Sequence, residues 1–327
     1  MINVYLNTRD KDDWIRLSPT GGNVVRNCKF FFNINDLENN QIDFFVVFNQ
    51  INDEVLLEKI NKKNSILIAC EPPSVHSYNK KYINQFEYLV CPDPKVNHPK
   101  KINITPFFPW HVGHNRDRAL ANKNKNYNYL LNKKYIKNKK ISVIQSDKIL
   151  CNEHIVRKKI IDGIINEFGS KIDIFGNGFK SQVISDKINV LSNYHYNICI
   201  ENFFGNDFWT EKLSDPLITR TNPIYLGCKN LNKYFPENFI TLKENDMDHN
   251  LSVIEKILKK NDHEFYYEKS RELIFKKYNL LTFLSDFIEK NLSKNIYKVK
   301  YKKEISTIEF QNIKSRIFKF LNLVRTK

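Results

Sequence analysis

Short β-branched and aromatic runs, separated by longer amphipathic segments, recur along the whole chain, and this alternation is what most restricts its fold. Strands are expected at Ile2–Leu6, Asp43–Phe48, Ile66–Cys70 and Glu87–Cys91 in the first half. In the second half they are expected at Ile141–Gln145, Ile172–Phe175, Tyr196–Glu201, Pro223–Leu226 and Phe239–Leu242. Helices are expected between them, at Asp53–Asn61, Glu153–Phe168, Glu211–Thr219, Leu251–Lys259 and Asp262–Lys276. Strands that alternate with helical patterns pair in parallel through crossover helices, so the expected class is α/β.

The 327 residues are too many for one ordinary core. Between about 115 and 138 the pattern lapses into Asn, Lys and Tyr, which marks a linker. The reading is two Rossmann-like domains, residues 1–138 (including that linker) and residues 139–292, with a basic tail over 293–327. Two such domains offer a ligand cleft at the carboxyl ends of their strands. In the tail, Ile313, Ile317, Phe320, Leu321 and Val324 recur at helical spacing, with Lys314, Arg316, Lys319 and Arg325 off that stripe. A basic amphipathic helix of this kind lies on anionic lipid, or packs its stripe on the protein or on a second subunit.

Composition narrows the function classes. The formal net charge is +16, carried mostly by lysines that travel with asparagine, as in Asn122–Lys140. A nucleic-acid surface would show Arg clusters with interleaved aromatics, so no nucleic-acid partner is expected. The positive field suits a phosphate-bearing ligand or an anionic membrane. Cys28, Cys70, Cys91, Cys151, Cys199 and Cys228 are scattered, several inside apolar runs, which is the pattern of buried reduced thiols. The N-terminus reads as a first strand without a leader, and no run approaches the ~20 apolar residues that cross a bilayer. The expected location is the cytoplasm, at the inner face of the membrane if the tail binds lipid.

The segment with most chemical content is Tyr196-Asn197-Ile198-Cys199-Ile200-Glu201-Asn202, followed by Phe208-Trp209-Thr210-Glu211-Lys212-Leu213. An apolar strand ending in Glu-Asn delivers polar side chains to the strand's carboxyl end. The next helix opens at Thr210, an N-cap type, and its free N–H groups and dipole suit a diphosphate. Lys212 in the first turn opposes the dipole preference, which suits a residue placed to meet an anion. Glu211 beside it can accept hydrogen bonds from ribose or sugar hydroxyls. Glu and Lys are also ordinary first-turn residues, and the pair alone is weak.

These blocks, with Asn222-Pro223-Ile224-Tyr225-Leu226-Gly227 after them, resemble the donor-binding motif of glycosyltransferase family 10, the α-1,3/4-fucosyltransferases. That pattern is Phe/Tyr-x-x-Phe-Glu-Asn, then Tyr-x-Thr-Glu-Lys, then a Pro-hydrophobic-x-x-Gly strand end, and the match covers roughly residues 140 to 245. The resemblance implies a GT-B architecture of two Rossmann-like domains facing a central cleft, with an N-terminal acceptor domain and a C-terminal domain that binds GDP-fucose. It implies that Glu211 and Lys212 hold the nucleotide sugar, with Asn202, Phe208 and Thr210 of the same blocks as donor contacts. Arg157 falls where the family places a diphosphate-binding arginine. Two departures bear on the donor sugar: Phe208 stands where the family commonly has Tyr, and Glu-Asn is followed by Phe203 instead of Ser.

In the first half, Ile66-Leu67-Ile68-Ala69-Cys70-Glu71-Pro72-Pro73-Ser74-Val75-His76 reads as a strand ending in a carboxylate and a rigid turn. By itself Glu71 reads as a solvated turn residue. The segment resembles the Glu-Ser-Pro-Ser-His segment of animal fucosyltransferases, which makes Glu71 the expected general base. His76, Trp110 and His111 are the expected acceptor contacts, the latter two from Phe107-Phe108-Pro109-Trp110-His111. No cofactor or metal is expected, and Asp246-Met247-Asp248 reads as a solvated loop outside the motifs. The expected activity is inverting transfer of fucose from GDP-fucose to a hydroxyl of a surface glycan. The alternatives are another nucleotide-sugar donor on the same fold, or a non-catalytic basic module.

Overall fold

The computed structural model describes residues 1–51, 55–115, 120–176, 184–261, 264–295 and 297–303. The chain divides into two α/β units: Met1–Pro109 with the described residues from Lys276 onward, and Trp110–Phe275.

The first unit contains β1 (Ile2–Asn7), β2 (Val24–Val25), β3 (Cys28–Phe31), β4 (Phe44–Phe48), β5 (Val55–Ile60), β6 (Ser65–Ile68), β7 (Tyr88–Val90) and β8 (Lys101–Ile102). Seven of them form one sheet in the order β2-β3-β1-β4-β6-β7-β8, parallel except where β2 meets β3. The middle strand, β4, reads Phe-Phe-Val-Val-Phe and is buried at every position, as a parallel strand covered on both faces must be. Glu71 lies just past the carboxyl end of β6.

The second unit holds the antiparallel pair β9 (His114–Asn115) and β10 (Leu120–Ala121). Its main sheet is built from β11 (Lys139–Ile144), β12 (Ile172–Phe175), β13 (Tyr194–Ile200), β14 (Asn222–Leu226) and β15 (Ile240–Thr241). These five strands are all parallel, in the order β12-β11-β13-β14-β15. Helices Asn152–Phe168 and Glu211–Ile218 make the crossovers from β11 to β12 and from β13 to β14. Ile141, Val143, Tyr196, Ile198 and Ile224 of the sheet pack with Ile160, Ile161 and Ile164 of the first of these helices, and with Ile254 and Ile257 of helix Met247–Lys259.

Three expectations need correction. Asp53–Asn61, expected as a helix, contains strand β5, which pairs antiparallel with β16 (Tyr297–Tyr301), some 240 positions later. Val55 and Leu57 are buried and Leu56 is exposed, a period of two that a short apolar run does not distinguish from a helical one until its partner is known. The expected basic tail from 293 therefore begins as a strand, and Tyr301 is fully buried between Phe45 and Phe86. The helical stripe Ile313–Val324 lies outside the described residues.

The expected boundaries at 138 and 292 also move. Trp110 and helix Tyr127–Asn132 belong to the second unit, where Tyr127 is buried beside Phe275. Helix Leu280–Asn291 belongs to the first: Asn279, which caps it, donates to the Leu17 carbonyl at 2.8 Å, and Ser293 N donates to Asn64 Oδ1 at 2.8 Å. Polarity marked the 115–138 stretch as a linker, but a polar segment that caps and packs a helix reads the same way. All six cysteines are buried and free. Among the described residues no helix is long and apolar enough to cross a membrane.

Candidate active site

The strand order of the second sheet reverses direction between β11 and β13, because the chain leaves β11 toward β12 on one side and returns to β13 on the other. Loops that diverge at such a point leave a crevice at the carboxyl ends of the strands, where open α/β sheets bind ligands. Gln145 and Ser146 follow β11, and Glu201 follows β13. At the end of β12, Gly176 has φ +120°, and a Cβ there would lie 1.8 Å from the Gln145 carbonyl oxygen, so only glycine fits.

Arg157 reaches this edge from helix Asn152–Phe168. Its Nη2 donates to the carbonyls of Ser146 and Lys148 at 3.2 and 3.4 Å, and its Nε is buried with no hydrogen-bond partner among the described residues. Burial lowers the guanidinium's pKa, an effect opposed by Cys151 and Glu201. A buried donor left unpaired costs about 1–3 kcal/mol, so an anion that reached it would recover that deficit.

Glu201 is fully buried and organises the approach to the next helix. One carboxylate oxygen accepts the Thr210 N–H at 2.9 Å and the other the Thr210 hydroxyl at 2.7 Å. Thr210 in turn caps helix Glu211–Ile218, its Oγ1 accepting from Lys212 N at 3.2 Å. The Lys212 amine lies 3.8 Å from Glu201 and 3.4 Å from Glu211. The Pro-x-x-x-Gly end of β14 has a steric reason here: a Cβ on Gly227 would fall 2.4 Å from Glu201 Cγ and 2.6 Å from the Tyr225 hydroxyl.

Glu211 Oε1 gathers three basic groups. Lys212 Nζ is 3.4 Å away, Lys187 Nζ 3.5 Å and His111 Nδ1 3.7 Å. Lys187 Nζ also donates to Asp215 at 3.0 Å, and the other Asp215 oxygen accepts the backbone N–H groups of His111 and Val112 at 2.9 and 3.3 Å. Charges thus alternate through Glu201, Lys212, Glu211, Lys187 and Asp215.

Burial raises the pKa of Glu201, and Lys212 opposes it; burial likewise raises Asp215 against the pull of Lys187. For Lys212, burial alone would lower the value, but Glu211 and Glu201 outweigh it and hold the amine above its ordinary range. His154, whose Nδ1 accepts the Leu150 N–H at 2.9 Å, is pushed down to about 4 by burial and then by Arg157, Lys212 and Lys148. It is therefore neutral at pH 7 in the folded chain, while the unfolded chain binds a proton near 6.5. Its contribution to stability is complete above pH 6.5 and is lost as pH falls toward 4. Urea unfolding at stepped pH should show wild type losing on the order of 3 kcal/mol more than His154→Asn over that window. Parallel curves for the two proteins would contradict this placement of the imidazole.

A family model described as glycosyltransferase family 10 (fucosyltransferase), C-terminal part, matches residues 135–308, more than half of the chain. This chain belongs to glycosyltransferase family 10. An alpha-(1,3)-fucosyltransferase of Helicobacter pylori, FucT, is 36% identical over 62 residues, which are 19% of this chain and 13% of that protein. Similar solved structures include an alpha1,3-fucosyltransferase with GDP-fucose, at 16% identity and a TM-score of 0.44, covering 90% of this chain and 92% of that one. A GtfA/B complex is similar at 8% identity and a TM-score of 0.41, over 79% of this chain and 59% of its own.

The expected donor residues of this family 10 chain fall into two groups. Arg157, Glu211 and Lys212 converge on the carboxyl edge of the second sheet, and Asn202 is half-buried there, its carbonyl accepting from Cys151 Sγ at 3.7 Å. Thr210 and Phe208 act from behind: the Thr210 hydroxyl is engaged by Glu201, and Phe208 is fully buried, edge-on to Phe203. Phe208 thus has no exposed surface to offer a donor in this structure.

Of the expected acceptor residues, His111 is partly exposed beside Glu211. Trp110 is buried, stacked on Tyr127 and edge-on to Phe275, so it braces the second unit instead of lining a surface. His76 is buried in the first unit, its Nε2 3.3 Å from Gln50 Nε2 and its ring edge-on to Tyr78. Glu71 is half-buried; its N–H donates to the Tyr78 hydroxyl at 3.2 Å, and that hydroxyl donates to Asn49 Oδ1.

Sequence reasoning missed Lys187, Asp215, Tyr225 and the full burial of Glu201. Asp215 carried a signal, since it stands four residues after Glu211 on the same helix face. Lys187 carried none, being one lysine among many. Asp246-Met247-Asp248, expected as a solvated loop, is instead a helix start: Asp246 caps helix Met247–Lys259 by accepting from His249 N at 2.9 Å, and Met247 and Asp248 lie in its first turn.

Proposed function

We propose that this chain is an inverting fucosyltransferase that moves fucose from GDP-fucose to a hydroxyl of a glycan acceptor. The observation that carries the reading is the cationic edge of the second sheet, where the Nε of Arg157, unpartnered among the described residues, and the amine of Lys212 accompany a capped helix N-terminus. An inverting transfer needs a carboxylate to take the acceptor's proton as its oxygen attacks C1, while the diphosphate departs from the opposite face. Glu71 is the residue we assign to the proton. Charge grows on the leaving phosphate, so Arg157 and Lys212 would act where the transition state differs from the ground state. Glu211 would accept hydrogen bonds from hydroxyls of the donor, or oppose positive charge developing on the sugar ring.

Family membership supports the transferase reading, and the likeness to FucT supports a fucose donor. Thermal unfolding in the presence of GDP, UDP, CMP and dTDP tests the donor. Because a ligand that binds only the folded state stabilises it by mass action, GDP at 100 times its Kd should add about 2.7 kcal/mol, and the others much less. Mass spectrometry of a fucosylated acceptor after GDP release would complete the test. Stabilisation by UDP or dTDP with none by GDP would replace GDP-fucose with another donor, and no stabilisation by any of the four would sink the reading.

A further inference from the structure

Lys187 stands outside the motifs that mark the donor site, yet its buried amine bridges two carboxylates of one helix face. Glu211 and Asp215 are four residues apart, so their like charges oppose one another, more strongly where both are buried than on an exposed helix. Asp215 is already served by the backbone N–H groups of His111 and Val112. Lys187 divides its donors between Asp215 at 3.0 Å and Glu211 at 3.5 Å. Its own backbone is held in place next door. Asp186 accepts the Gly113 and Ile188 N–H groups at 2.9 Å each and the Lys125 amine at 2.8 Å. Asp186 and Asp215 together therefore suspend residues 111–113 by three backbone N–H groups, with Lys187 between them in the chain and in the charge sequence.

We propose that Lys187 is a positioning residue for donor recognition: it holds the Glu211 carboxylate at the carboxyl edge of the second sheet and couples it to the segment carrying His111. The inference rests on the reading of Glu211 as a donor contact. Lys187 faces Glu211 from the start of helix Ile188–Leu191, Lys212 faces it from its own helix, and His111 from the suspended segment. With the amine removed, Glu211 loses one of the three basic groups that face it, and the nearer of the two that remain is Lys212, whose position also answers to Glu201. The loss is then in ground-state binding of the donor more than in the chemical step.

The test must separate this role from simple neutralisation of Asp215. Lys187→Met should raise the KM for GDP-fucose about 10–30-fold with kcat changed by less than about 3-fold, the pattern of lost uniform binding. Because that variant leaves Asp215 buried without its cation, Lys187→Met/Asp215→Asn is the decisive protein. It removes the charge pair together while an amide oxygen can still accept from His111 and Val112. The expected result is an unfolding temperature recovered toward wild type with the KM still raised. A KM that returns with the fold would show that Lys187 serves Asp215 alone and would overturn the proposal. A double variant less stable than Lys187→Met would overturn it as well, since the charges would then not be paired as described. Glu211→Gln separates the two layers of the argument. If it leaves the donor KM unchanged, the donor reading of Glu211 fails. If it raises KM and Lys187→Met adds a further independent increase on top of it, only the positioning role fails.

Discussion

Glu71→Gln is expected to lower kcat by about 10²–10⁴-fold while leaving the KM for GDP-fucose and the unfolding temperature near wild type. A general base contributes to the proton transfer and little to donor binding, so the loss should fall on turnover. The substitution is close to isosteric, and it keeps the Glu71 backbone N–H that donates to the Tyr78 hydroxyl at 3.2 Å. Initial rates at saturating donor, together with a melting curve, check this directly. A variant that folds and turns over at the wild-type rate would remove Glu71 from the mechanism, and the base would have to be sought elsewhere.

The second large effect is expected at Lys212, where charge and stability are entangled. Lys212→Met should reduce kcat/KM about 10²–10³-fold through loss of a cation opposite the leaving phosphate. It should also destabilise the fold by about 1–3 kcal/mol, because fully buried Glu201 loses an opposing charge 3.8 Å away. Adding Glu201→Gln to the same chain removes the orphaned charge and should restore most of the stability. Activity should not return with it. If it does, the cost of Lys212→Met was structural throughout, and the amine has no part in transfer.

Much of the second unit was legible before any coordinates: Ile172–Phe175 is both the expected and the observed strand, and the expected Tyr196–Glu201 falls on β13, whose nearly continuous burial is that of a parallel strand covered on both faces. The Thr210-Glu211-Lys212 helix start was readable as well: an N-cap hydroxyl and an abrupt change from apolar to charged residues are local signals. What stayed hidden depends on partners distant in sequence. Nothing near Val55 shows that Tyr301 will pair with it, and nothing near Lys187 shows that Asp215 waits for it. Trp110 and Phe208 illustrate the opposite error, in which an aromatic beside a motif suggests contact when its volume is needed inside. Conversely, Glu201 reads as a ligand-facing carboxylate, yet its work is to hold Thr210 and set the angle of the helix that follows.

The antiparallel pairing of β16 with β5 carries a consequence for biogenesis. The first unit is discontinuous: its last described strand emerges from the ribosome about 190 residues after Pro109, roughly 10–40 s later at ordinary translation speeds. Trp110–Phe275, the described part of the second unit, emerges in that interval as one continuous stretch, whereas β5 must wait for the strand it pairs with. The described part of the second unit is therefore synthesised in full before β5 receives its partner. A truncation ahead of Tyr297 would leave the early half permanently unfinished, with the Tyr301 socket between Phe45 and Phe86 exposed to whatever chaperone or neighbour reaches it first.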